Sequence, residues 1–157
     1  DLEVREALTS YFGDEIYLPG GRLNRQRLAS IIFNDKNAIT EVNRIVHPAV
    51  TQDFLEWCRE QKKDILFFES AILFESKLEG LFDYIISISA DMETRIKRVV
   101  ERDATKREKV IERINNQMPD SEKLSKSDFV IYNNDDDQIV KQILAIIHQL
   151  NNLNKNR

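Results

Sequence analysis

Three short apolar runs constrain the fold most: DILFFE at 64–69, DYIISIS at 83–89 and DFVIYN at 128–133. They are too short for helices, rich in Ile, Val, Phe and Tyr, and nearly continuous rather than alternating. That is the pattern of strands covered on both faces of a parallel sheet. Parallel strands need long crossovers, and helical patterns separate or follow the runs. After the second run, Asp91 and Glu93 fall in a first turn, where they favour the helix dipole, and Ile96, Val99 and Val100 mark an inward face. After the third, NNDDDQIVKQILAIIHQL places polar caps before a stripe of Ile139, Ile143, Ile146, Ile147 and Leu150, which predicts an amphipathic helix packed on the sheet. His148 on it reads as an ordinary helix-face residue, and the polar tail NNLNKNR is expected to fray.

The first third differs in kind. Asn24 is a predicted N-cap for NRQRLASIIF, AITEVNRIV follows, and Pro48 suits the first position of a third helix, PAVTQDFLEWCREQKK. Three helices without a strand predict a helical subdomain. The whole reads as an α/β fold with a helical insertion near its start.

A length of 157 residues fits one domain with a real core, and a content of 41% hydrophobic and 32% charged residues is that of a globular chain. No apolar run approaches a membrane span of about 20 residues, and no secretory signal is recognised, so no membrane partner is expected. Cys58 is the single cysteine, which excludes an intrachain disulfide and a cysteine-based zinc site and makes a reducing cytoplasm the expected compartment. His47 and His148 lack zinc-ligand spacing, so no metal held by protein side chains alone is expected. There is no G-x-S-x-G, and Cys58 lies in a helical pattern remote from either histidine, which argues against triad-type hydrolysis.

Charge is the second strong signal. RIKRVVERD (95–103) holds Arg95, Lys97, Arg98 and Arg102, and the segment to Arg113 carries a net +4 within a chain of net charge -4. One reading is a solvated helix face laced with i,i+4 pairs. The other is that the cations gather around an anion, for which phosphate is the usual candidate. A nucleic-acid groove is disfavoured by the acidic whole and by the lack of interleaved aromatics. Glu69 closes the first predicted strand, where ligands of open α/β sheets bind, and reads either as a site residue or as a strand-end charge facing solvent.

The order and spacing of GRLNRQRLASIIF, IVHP, ESAILFES, RIKRVVERD and RINNQMPDSEKLSKSDFVIYNN, from about Gly21 to Asn134, resemble the dephospho-CoA kinases of the P-loop kinase class. The resemblance implies an α/β fold with a parallel-sheet P-loop kinase core (64–98 and 128–157), a helical CoA-binding subdomain (about 20–63) and a helical lid (about 99–127). It also implies ATP-dependent phosphorylation of the ribose 3'-hydroxyl of dephospho-CoA, with ATP and Mg2+ as cofactors and neither nucleic acid nor membrane as partner. Gly21, Leu23, Arg25, Leu28 and Phe33 match the helical-subdomain motif, and His47 and Pro48 its His-Pro pair. Arg98 and Arg102 match the arginines leading into the lid, Arg113 and Gln117 match lid positions, and Asn133 matches the asparagine near the adenine pocket. On this basis Arg98 is the catalytic candidate, Arg102, Arg113, Gln117 and Asn133 face the nucleotide, and Arg25 and His47 face the acceptor, to which the predicted strand-end position adds Glu69. Arg98 and Arg102, one turn apart, are expected to converge on one anion, with Arg113 approaching from the far side of the lid. Arg95 and Lys97 have no match and read as solvated face. His47 reads either as an acceptor contact or as a cap for the helix begun by Pro48.

Asn24 stands where the family more often has aspartate, and Ala71 where it usually has proline. None of the four glycines, Gly13, Gly20, Gly21 and Gly80, starts a G-x-x-x-x-G-K-[ST]. The P-loop, its lysine and the acceptor's base are therefore expected before residue 1, in roughly 35 residues of strand, loop, helix and strand, and residues 1–157 alone are expected to be inactive. The alternatives are a P-loop kinase acting on another small hydroxyl or nucleotide, and a catalytically inactive interaction module.

Overall fold

A computed structural model describes residues 1–32 and 35–155. The chain divides into two compact units, Asp1–Glu69 and Ser70–Arg157.

The first unit is helical. Helix α1 (Leu2–Phe12) starts where the Asp1 carboxylate accepts the Val4 N–H at 3.2 Å, and it ends at Gly13. A 3-10 turn at Asp14–Ile16 leads into a reversal closed by a single antiparallel bridge between Tyr17 and Leu23. Within it the Gly21 N–H bonds to the Leu18 carbonyl at 2.9 Å, Pro19 presets the turn, and Gly20 supplies the positive φ of 96°. Asn24 caps α2 (Arg25–Ile32), its Oδ1 accepting the Arg27 N–H at 3.1 Å. Phe33 of the helical-subdomain motif lies outside the described residues, as does the end of the polar tail at 156–157.

Helix α3 (Lys36–Glu60) is capped by Asp35, whose Oδ1 accepts the N–H groups of Asn37 and Ala38 at 2.8 and 3.1 Å. The break expected at Pro48 is absent: one helix of 25 residues runs through it. Pro48 cannot donate to the Arg44 carbonyl, but both residues are exposed, so that carbonyl is open to water rather than orphaned in a core. Leu8, Phe12, Ile16, Leu28 and Ala38 form the buried core of this unit, so α1, α2 and α3 hold one another.

Residues 64–69 are not the strand their composition predicts. Leu66 and Phe68 are half-buried, with the Phe68 ring 4.6 Å from that of Phe54, while Ile65 and Phe67 are exposed. The described sheet contains two other strands, and this run is held by its inward side chains rather than by a ladder.

In the second unit β1 (Ile86–Ser89) and β2 (Phe129–Tyr132) are parallel, with Ile86 opposite Phe129 and Ser89 opposite Tyr132. The crossover between them consists of α4 (Met92–Asp103), α5 (Arg107–Asn115) and α6 (Asp120–Ser125). Ala104, left-handed at φ 47°, ends α4 and lets α5 fold back on it, burying Ile96 and Val110. Helix α7 (Ile139–Lys155) packs on β2 through Ile146. Its Gln142 bonds both the N–H and the C=O of Tyr132 at 2.9 Å each, so a side-chain amide takes the place of the next strand. The rest of the predicted stripe is less covered, with Ile143 and Ile147 exposed. His148 is exposed on the same helix.

Candidate functional site

Two loops leave the carboxyl ends of β1 and β2, and they are laced together. The Asn133 N–H bonds the Ser89 carbonyl at 2.7 Å, and the Asp91 N–H bonds Asn134 Oδ1 at 2.8 Å. Arg98, two turns into α4, reaches this point. Its Nη1 donates to the Asn133 carbonyl at 2.7 Å and lies 3.4 Å from Asn133 Oδ1, and its Nη2 donates to Asp135 Oδ1 at 2.7 Å. The Arg98 hydrogen bond and charge hold the Asp135 carboxyl below the usual range. Arg98 and Asn133, matched separately by resemblance in the sequence, are thus in contact at the end of the sheet where open α/β folds bind ligands.

Arg98 and Arg102 sit one turn apart as expected, but their guanidinium groups go to different carboxylates. Arg102 places Nε 2.8 Å from Asp103 Oδ1 and Nη2 3.3 Å from Oδ2, and Arg113 of α5 brings Nη1 to 3.5 Å from the same Oδ2. The expected convergence of Arg98 with Arg102 is therefore replaced by convergence of Arg102 with Arg113. Between them they hold the Asp103 carboxyl below its usual value, the Arg102 hydrogen bond contributing most.

Gln117 belongs to a third cluster, which the sequence concealed. Lys123 Nζ lies 3.0 Å from Glu75 Oε1, donates to the Ala71 carbonyl at 2.9 Å, and reaches Gln117 Oε1 at 3.5 Å. Glu75 Oε1 also accepts the Met118 N–H at 2.8 Å. Burial alone would raise the Glu75 carboxyl, but the Met118 amide, its own N–H and the Lys123 ammonium outweigh it and lower the value. Glu75 was visible only as the acid next to last in ESAILFES, and nothing marked Lys123, because Glu75 and Ala71 lie far from it along the chain. Asp103 and Asp135 were likewise hidden, as acids inside charged runs.

Arg95 departs from its solvated-face reading. It is half-buried and ion-paired with Asp120 at the start of α6, and its Nε is buried without a hydrogen-bond partner. Lys97 is exposed, as that reading requires.

The remaining candidates lie in the first unit. Arg25 opens α2 exposed, with no side-chain partner among the described residues. His47 is half-buried in the middle of α3, so it caps no helix and that alternative falls away. Glu69 is exposed after an unpaired run, not at the end of a strand. Along the second half of α3 a cleft of about 430 Å³ is floored by Val50, Phe54, Trp57 and Phe68 and rimmed by Asp53, Glu56 and Glu60.

Among the described residues no three His, Cys, Asp or Glu side chains gather as a metal cradle. Nor, among them, is any helix long and apolar enough to cross a membrane.

Two parallel strands joined by a helical crossover, with Arg98 tied to the loop beyond their carboxyl ends, define an α/β protein. The comparisons narrow the class. The dephospho-CoA kinase family model matches residues 1–138. The dephospho-CoA kinase of Listeria monocytogenes is 41% identical over 152 residues, covering 94% of this chain and 76% of the relative. That of Bacteroides fragilis is 36% identical over 148 residues, covering 94% and 72%. Among solved structures, TT1252 from Thermus thermophilus aligns over 96% of this chain and 82% of its own with a TM-score of 0.77 at 28% identity. The dephospho-CoA kinase from Campylobacter jejuni shares the fold at a TM-score of 0.53 and 24% identity, over 94% of this chain and 75% of that one. The chain belongs to the dephospho-CoA kinase family.

Proposed function

We propose that this chain serves the transfer of the γ-phosphoryl group of ATP to the ribose 3'-hydroxyl of dephospho-CoA, giving coenzyme A. Membership of the family supports the reaction, and the observation that carries the division of labour is Arg98 gripping the Asn133 loop beyond the strand ends. In this reading the second unit carries the nucleotide side: Asn133 borders the adenine, Arg102, Arg113 and Gln117 face the phosphates from α4 and the lid, and Arg98 meets the transferring group. Phosphoryl transfer asks the protein for positioning and for neutralisation of spread negative charge more than for covalent chemistry, which is what clustered guanidinium groups supply. A magnesium ion, held chiefly by the nucleotide's own phosphates, would add charge neutralisation.

The first unit carries the acceptor side, with Arg25 and His47 as contacts and Glu69 at its end. The lid comprises about 99–127 and the acceptor subdomain about 20–63. Fixed by Arg95–Asp120 and Glu75–Lys123, α6 is the anchored limb of that lid.

The reading is tested by a phosphotransfer assay on the complete protein, with dephospho-CoA and nucleoside monophosphates offered as acceptors. Phosphorylation of dephospho-CoA with little transfer to AMP is expected. Preference for the monophosphate would overturn it.

A further inference from the structure

We infer that Asp103 is the positioning residue for the nucleotide-side arginines: its carboxylate holds Arg102 and Arg113 together and yields them to the phosphate chain of ATP. The inference rests on the reading of those two arginines given above. Asp103 is the last residue of α4, and the left-handed turn at Ala104 brings α5 back so that Arg113 returns to it. Both oxygens are engaged, Oδ1 by Arg102 Nε at 2.8 Å and Oδ2 by Arg102 Nη2 at 3.3 Å and Arg113 Nη1 at 3.5 Å. Two guanidinium groups from different helices around one oxyanion is the arrangement a phosphate would take, with a carboxylate in its place.

The exchange is physically easy. The Arg102 and Arg113 side chains are 73% and 64% exposed, so neither pair is locked by burial, and exposed pairs are individually weak. A nucleotide phosphate offers more charge and more acceptor oxygens than one carboxylate. Of the other exposed pairs of this region, the two-pronged Arg107–Glu93 contact uses no arginine assigned to the nucleotide, and Arg98–Asp135 engages the arginine assigned to the transferring group. Asp103 therefore orients both arginines in advance and competes for them, and removing its charge strengthens nucleotide binding.

The test is calorimetric titration of ATP into the complete protein and its variants. Asp103→Asn is expected to tighten binding by about three- to tenfold, the scale of two weak exposed pairs released. Asp103→Glu stays near wild type. Glu101→Gln removes the same charge from an exposed position on the same helix and should change binding less than about twofold. A gain in affinity is not what loss of a structural contact produces. Unchanged or weaker binding by Asp103→Asn, or an equal gain from Glu101→Gln, overturns the role of Asp103. Arg102→Ala and Arg113→Ala separate the two levels: each should weaken ATP binding. If they do so while Asp103→Asn gains nothing, only Asp103 is misassigned; if neither does, the assignment of the arginines falls, and Asp103 with it.

Discussion

Lys123 Nζ and Glu75 Oε1 lie 3.0 Å apart with their side chains 17% and 26% exposed, the most shielded ion pair among the described residues. The pair joins the turn at 71–77 to the α5–α6 connection, because Glu75 also takes the Met118 N–H and Lys123 the Ala71 carbonyl. Removing either partner leaves a shielded charge unmatched. Glu75→Gln and Lys123→Met should each destabilise the protein by about 1–2 kcal/mol, between the values for exposed and for buried pairs. A double-mutant cycle in urea should show the two losses to be strongly non-additive. Additive losses would mean that the two side chains act separately.

The same pair sets a pH dependence. The Glu75 carboxyl is held below its ordinary value in the folded protein, so its contribution is present above the unfolded carboxylate range, about pH 4.3, and is lost as pH falls through the folded value. The stability gap between wild type and Glu75→Gln should be constant near neutrality and close on acidification below about pH 4. Urea midpoints across that range check it, and a gap that persists in acid refutes it.

How much of this was legible in the sequence depended on how local the cause was. Strands β1 and β2 lie inside predicted runs because a short apolar β-branched stretch needs only its own residues to declare itself. DILFFE carried the same local signal, but being a strand also takes a partner, and partnership is not written in the run. Pro48 misled in the opposite direction: proline forbids one hydrogen bond, and on an exposed face the helix tolerates the loss. Motif resemblance named Arg98 and Asn133 yet could not say that they touch. It gave no hint of Lys123, Asp103 or Asp135, whose roles come from contacts made across turns and between helices. The reading of Arg95 as solvated failed because helical charge patterns do not reveal that Asp120 of α6 will come within reach of Arg95.

Arg98 is expected to matter twice, as a cation beside the phosphates and as the tie to Asn133 and Asp135. In the complete enzyme Arg98→Ala should lower kcat by roughly a thousandfold or more, as for other transition-state arginines. Arg98→Lys should recover only part of the loss, since one ammonium cannot span a carbonyl and a carboxylate as a planar fork does. The proper control is exposed Lys97→Ala, expected near wild type, rather than Arg95→Ala, which breaks the pair with Asp120. Steady-state kinetics with both substrates varied checks this, and full turnover in Arg98→Ala would leave Arg98 a structural tie to Asn133 and Asp135 with no part in the chemistry.

Gln142 closes the outer side of β2 at Tyr132 with two side-chain bonds. Gln142→Ala should cost about 1–2 kcal/mol for the two lost bonds. It should also raise the tendency to associate, because a bare strand edge is a template for another chain. Thermal unfolding followed together with light scattering reads both effects, and a variant that melts and scatters like wild type would show that water serves Tyr132 equally well.

Trp57 offers a test of the acceptor side proposed for the first unit. It is exposed and lines the cleft of about 430 Å³ with Val50, Phe54 and Phe68, and its rim of Asp53, Glu56 and Glu60 repels phosphate. Such a cleft suits the uncharged, flexible arm of dephospho-CoA and not its nucleotide end. It contains the chain's single tryptophan, so binding there is readable without labelling. Titrating dephospho-CoA into the complete protein should change Trp57 emission saturably, and AMP, which has the nucleotide but no arm, should change it far less. Phe54→Ala should weaken the dephospho-CoA response while leaving the affinity for ATP unaltered. An equal response to both ligands would remove the arm from this cleft and favour a nucleotide as the acceptor.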